Sequence, residues 1–129
     1  MKVRFDLAPD IKVRLREILD RISLGHIRAD NIVAFRSYGS VSRAYARIWS
    51  LPTIWQTALK VQPHYCIEVI HERFDREKPE QQTRILIHEL LHIPKTFSGA
   101  LLPHTGRGRV RVDSRTVNRY YQVYLNNPK

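Results

Sequence analysis

The sequence predicts one small α+β domain over residues 1–129, built from an N-terminal helix, a short and mainly antiparallel sheet of about three strands, a central helix and a C-terminal helix. Three observations lead there. Apolar residues recur at helical spacing in three separate stretches. Three short β-prone runs lie between the first two of them, bounded by Gly or Pro. No internal repeat or low-complexity tract divides the 129 residues, a length that suits a single core.

The first helix is expected from Asp10 to Ile22, where Ile11, Leu15, Ile18, Leu19 and Ile22 share a face and Pro9-Asp10 gives a start signal. Asn31 to Tyr38 is short and β-prone and stops at Gly39. Ala44 to Trp49 reads as a second strand ending before Pro52, and Thr53 to Lys60 as a short helix or a loop. Tyr65-Cys66-Ile67-Glu68-Val69-Ile70 is the strongest strand signal. Lys78-Pro79-Glu80 then opens a helix, since Pro suits the first turn and Glu its positive end. That helix runs to Ile93, where Pro94 forbids its continuation. A Gly- and Pro-broken loop follows to about Arg109. Val117, Tyr120, Tyr121, Tyr124 and Leu125 mark a last helix from about Ser114 to Leu125.

Composition narrows the functional classes. The lone Cys66 excludes an intramolecular disulfide and a cysteine-based structural zinc site. No run approaches the roughly 20 apolar residues of a membrane span, and the N-terminus lacks an apolar run of signal-peptide length, so no membrane association and a cytoplasmic location are expected. The net charge is +10, with Arg107, Arg109, Arg111, Arg115 and Arg119 as the strongest basic run, whereas residues 68–94 carry an acidic excess. A basic stretch of this kind makes nucleic acid a candidate partner, although a solvated surface accounts for it equally well.

The chemistry concentrates in that acidic segment, at His88-Glu89-Leu90-Leu91-His92. With 100° per residue, His92 lies 40° and Glu89 100° from His88, while Leu86, Leu90 and Ile93 fall nearly opposite. Two imidazoles on one face can reach one metal ion, and the adjacent carboxylate can take a proton from water. With six His and six Glu in 129 residues, a chance H-E-x-x-H match is expected about one time in a hundred. A catalytic site of this type usually has three protein ligands. His64, His71, His104 and the downstream carboxylate Asp113 are the candidates for the third. His104 is favoured, because its loop is long enough to return on the helix, and His26 has no visible partner.

The motif and its surroundings resemble the zincin-like metallopeptidase family of archaeal and phage genomes. The likeness is concentrated in Leu86 to Pro94 and the following Lys95 to His104. It implies a small zincin-like fold, Zn2+ on His88, His92 and His104, Glu89 as general base, and a peptide or protein substrate. It further implies that Tyr65 to Ile70 is the sheet edge on which the substrate docks. The SprT/Spartan proteases, which cut proteins crosslinked to DNA, are similar in having a third His at a loop's distance, and the 107–119 arginines suit such a role. Other zincin patterns are absent: position 98 is Ser, and no Glu follows residue 92. The alternatives are a DNA-associated protease, a basic nucleic-acid-binding module with a non-catalytic metal site, or a metallohydrolase with a non-peptide substrate, since the motif specifies activated water and not the bond attacked.

Overall fold

The structure, a computed structural model, describes residues 2–104 and 112–127. Four strands, β1 (Arg4–Leu7), β2 (Ile32–Tyr38), β3 (Ala46–Ser50) and β4 (Tyr65–Ile70), form one sheet in the order β1-β2-β4-β3. Pairing is antiparallel at both outer positions and parallel between β2 and β4. The helices are α1 (Pro9–Arg21), α2 (Thr53–Leu59), the single turn α3 (His71–Phe74), α4 (Pro79–Leu91) and α5 (Ser114–Asn126). The α+β class and the three long helices are as the sequence predicts. The sheet has one strand more than expected and is mixed.

That extra strand, β1, has four residues, all exposed. Nothing buries one side of it, so no alternation of apolar and polar burial marks it in the sequence. Its pairing with Phe35–Tyr38 of β2 is what makes it a strand. The segment from Thr53 is a helix, ended by Lys60 in the left-handed conformation (φ 55°), and none of its residues is buried.

Alternate residues of the strands face the helices. Ile32 and Ala34 of β2, Ala46 of β3, and Tyr65, Ile67 and Val69 of β4 belong to one buried cluster. Ile11, Leu15 and Ile18 of α1 join it, as do Leu86, Leu90 and Ile93 in and just after α4. Val117 and Tyr121 of α5, which packs on α4 and α1, complete it. The aliphatic face of α4 is therefore buried as its periodicity requires. The helix is enclosed on other sides too, because Ile85, Ile87, Leu91 and Glu89 are also buried. Burying those apolar side chains stabilises the domain by roughly 1.5–3 kcal/mol each, and it holds the motif helix on a rigid support.

One expectation is corrected here. Tyr65–Ile70 is not a docking edge, because β4 is paired on both sides, with β2 and β3. Among the described residues the free edges are β1 and β3. The near-continuous run Ile67-Glu68-Val69-Ile70, all buried, is the mark of an interior strand with a parallel neighbour.

Candidate metal centre

His88 and Glu89 lie in the last turn of α4, and His92 caps that helix in helical conformation, its N–H bonded to Glu89 O. One helical turn separates the two histidines, as the 3.6-residue period dictates. The loop from Pro94 then doubles back. Leu102 N–H donates to His92 O at 2.7 Å, and His92 Nδ1 meets Leu102 O, so loop and helix end are tied twice. A second anchor holds the middle of the loop. The Tyr65 hydroxyl accepts from Gly99 N at 2.9 Å and donates to Ala100 O at 2.8 Å, and the Tyr65 ring meets Phe97 edge-on at 5.1 Å. Gln56 of α2 adds bonds to Leu51 O and Ser98 O.

These ties bring His104 to the helix. His88 Nε2 lies 3.0 Å from His104 Nε2 and 3.3 Å from His92 Nε2. One ligand nitrogen from each of the three lies within 4.8 Å of the others. Tetrahedral nitrogen ligands about 2.1 Å from a shared ion stand about 3.4 Å apart, so the two close separations suit one ion among the three rings. The His92 Nδ1 contact to a carbonyl places the ring proton there and leaves Nε2 with its lone pair toward the cluster. Burial, followed by the neighbouring imidazoles, lowers the His88 pKa to about 4. His92 is also lowered, chiefly by burial. Both rings are thus neutral, as metal ligands must be. The donor set is one that first-row divalent metals accept.

Glu89 is buried, and desolvation lifts its carboxyl to about 8. It faces the same cleft as the histidines. That cleft has a volume of about 1050 Å³, and its walls are β3, the exposed side of α4, the loop residues Leu101 and Leu102, and the start of α5. In the antiparallel ladder, Tyr45 O accepts from Ile70 N, and Leu51 N donates to His64 O. Every second residue of β3 bonds to β4 in this way, so the backbone N–H and C=O groups of Ala46, Ile48 and Ser50 face outward from the sheet. Ala46 and Ile48 line the cleft.

The structure brings together the three histidines and places Glu89 beside them. The other histidines are elsewhere: His71 pairs with Asp75 at 2.7 Å, His64 bonds Gln62 O, and His26 lies 3.2 Å from Ile93 O. Arg115 and Arg119 are exposed on α5, while Arg107, Arg109 and Arg111 lie outside the described residues. Sequence reasoning missed Tyr65 as a loop anchor and missed Arg47, Trp49, Gln81 and Arg84 as cleft residues. For Arg84 and Gln81 a signal existed, since positions four and seven before His88 lie on its helix face. No helix among the described residues is long and apolar enough to cross a membrane.

No curated protein and no solved structure matches this chain. A family model does, over residues 3–126, which takes in every strand and helix described above together with the three histidines. The chain therefore belongs to the family that this model represents, described as "Putative phage metallopeptidase".

Proposed function

We propose that the protein is a zinc-dependent peptidase that hydrolyses peptide bonds with water, His88, His92 and His104 holding the ion and Glu89 serving as general base. The observation that carries this reading is the convergence of three imidazoles beside a buried carboxyl group in one open cleft. A zinc ion so held supplies a Lewis acid that polarises a carbonyl and acidifies water.

The chain's own groups account for the remaining steps. Glu89 takes the proton of the attacking water and passes it to the departing amine, a role suited by its place beside the three histidines in the cleft. The outward N–H and C=O groups of Ala46 and Ile48 offer an extended substrate a strand to pair with, giving affinity with little sequence demand. The docking edge in this reading is β3, not β4. The Leu102 carbonyl fixes the His92 ring, and the anchored loop holds His104 in place.

The test combines metal content with activity. Purified protein should carry about one zinc per chain. Glu89→Gln should retain the zinc and lower peptide hydrolysis by at least about a hundredfold. His104→Ala should weaken zinc binding at least about a hundredfold, more than loss of a group that only orients a ligand. Hydrolysis undiminished in Glu89→Gln would refute the general-base role, and unchanged zinc affinity in His104→Ala would refute the ligand set.

A further inference from the structure

The cleft carries an unbalanced charge. Among the described residues its lining includes two arginines, Arg47 and Arg84, and one residue with a carboxyl group, Glu89. Arg47 has a partner: its Nη2 lies 3.4 Å from Glu68, a fully buried carboxylate on β4 that also accepts from Trp49 Nε1 at 2.9 Å. Glu68 thus balances the charge of Arg47 and bonds the neighbouring Trp49. Arg84 has no such partner. Its guanidinium stacks 4.4 Å over the Tyr121 ring and reaches Gln81 Oε1 only at 3.5 Å. No carboxylate among the described residues pairs with it, and its Nε–H is buried without an acceptor. A cation held in place by stacking, with unused donors, presents a fork suited to a carboxylate.

Its position relates it to the metal centre. Arg84 stands one turn before His88 on the same face of α4, about 6 Å along the helix axis. An extended peptide advances about 3.4 Å per residue. A substrate paired with β3 and presenting a bond to the histidines would therefore bring a side chain one or two residues away from that bond to Arg84. The zinc ion of the proposed reading would add further positive charge to the cleft.

We infer that this cleft selects acidic peptide segments, with Arg84 receiving a substrate Asp or Glu carboxylate one or two residues from the bond to be cut. The inference rests on the peptidase reading and deepens it by naming the substrate class. A peptide fits better than a nucleic acid because one wall of the cleft is a free β-edge, whose alternating donors and acceptors match a polypeptide backbone.

The experiment uses zinc-loaded full-length protein and two sets of octapeptides, one rich in Asp and Glu and the other with isosteric Asn and Gln in their place. Binding is read by fluorescence anisotropy and cleavage by kcat/KM, at low and high salt. The acidic set should be preferred about tenfold in both readouts. Arg84→Gln should bring the acidic-to-neutral ratio close to one. Arg84→Lys, which keeps the charge and loses the fork, should retain part of the preference. Zinc content and thermal melts of both variants show whether the site is intact; even if Arg84→Gln folds poorly, a preference reduced but not abolished in Arg84→Lys supports the assignment, and a preference there equal to wild type overturns it. An unchanged ratio in a folded Arg84→Gln overturns the proposal. So does single-stranded DNA of matched charge binding more tightly than the acidic peptides with the same dependence on Arg84. Cleavage of both peptide sets without preference overturns the selectivity and leaves the peptidase reading standing. Selective, Arg84-dependent binding with no cleavage of any peptide supports acidic-peptide recognition and overturns the peptidase reading.

Discussion

Removing one oxygen atom, in Tyr65→Phe, tests whether the loop anchor governs the metal centre. The tyrosine is 1% exposed, and its ring remains to pack on Phe97 after the substitution. What is lost is the hydroxyl that accepts from Gly99 N and donates to Ala100 O, at 2.9 and 2.8 Å. Each bond contributes about 1 kcal/mol net, and the two backbone groups are left unpaired, so the loss is about 2–3 kcal/mol. It should appear mainly as loop opening rather than as global unfolding, because the helix-end ties from Leu102 to His92 remain. If His104 must be re-ordered on each binding event, zinc affinity falls by about 30- to 150-fold. Chelator competition measures this, with a thermal melt alongside. Spread over the whole domain, the same loss would lower Tm by about 6–15 °C. Tyr124→Phe is the matched control, since its hydroxyl bonds Glu17 and links α5 to α1 without touching the loop. Zinc affinity unchanged within twofold in Tyr65→Phe, together with the full drop in Tm, would show that the hydroxyl supports the core and not the site.

Two further predictions concern the frame. Gly99 adopts φ +98°, and a Cβ there would lie 2.4 Å from Gln56 Nε2 and 2.7 Å from Leu51 O; Gly99→Ala should therefore destabilise the loop by roughly 1–3 kcal/mol from conformation alone. Adding Gln56→Ala should not restore it, because the Leu51 carbonyl remains, and thermal melts of the single and double variants check this. Arg36 joins two acids, meeting Asp10 at 2.9 and 3.0 Å and Asp75 at 2.9 and 3.2 Å, and its hydrogen bond holds the Asp10 carboxyl below the ordinary value of 3.8. An acid with a depressed folded-state pKa stabilises the fold above its unfolded pKa and stops doing so as pH falls through the folded value. Wild type should therefore exceed Arg36→Gln in stability at pH 7, and the gap should close below about pH 4 in urea titrations across that range.

How much was legible depended on whether the signal was local. The α4 pattern was local: Pro79 and Pro94 bounded the helix, Leu86, Leu90 and Ile93 set its buried face, and that fixed where His88, Glu89 and His92 must point. The reach of His104 was a matter of loop length and ligand type, so the sequence could rank it first among candidates. Strand order was not local. A run such as Tyr65–Ile70 carries its β-propensity in its own residues, but its neighbours lie up to 33 positions away, and the resemblance suggested an edge where the burial pattern belongs to an interior strand. The four exposed residues of β1 carried no pattern at all.

By itself, then, the sequence determined that one helix face presents two imidazoles and a carboxylate, because helical periodicity converts spacing directly into direction. Only the tertiary structure decided that β3, not β4, is the edge strand beside the histidines, that Tyr65 ties down the loop carrying His104, and that Arg84 lines the cleft without a carboxylate partner among the described residues. Each of those depends on which distant segments pack together, and burial and pairing between segments far apart in the chain are properties of the folded whole.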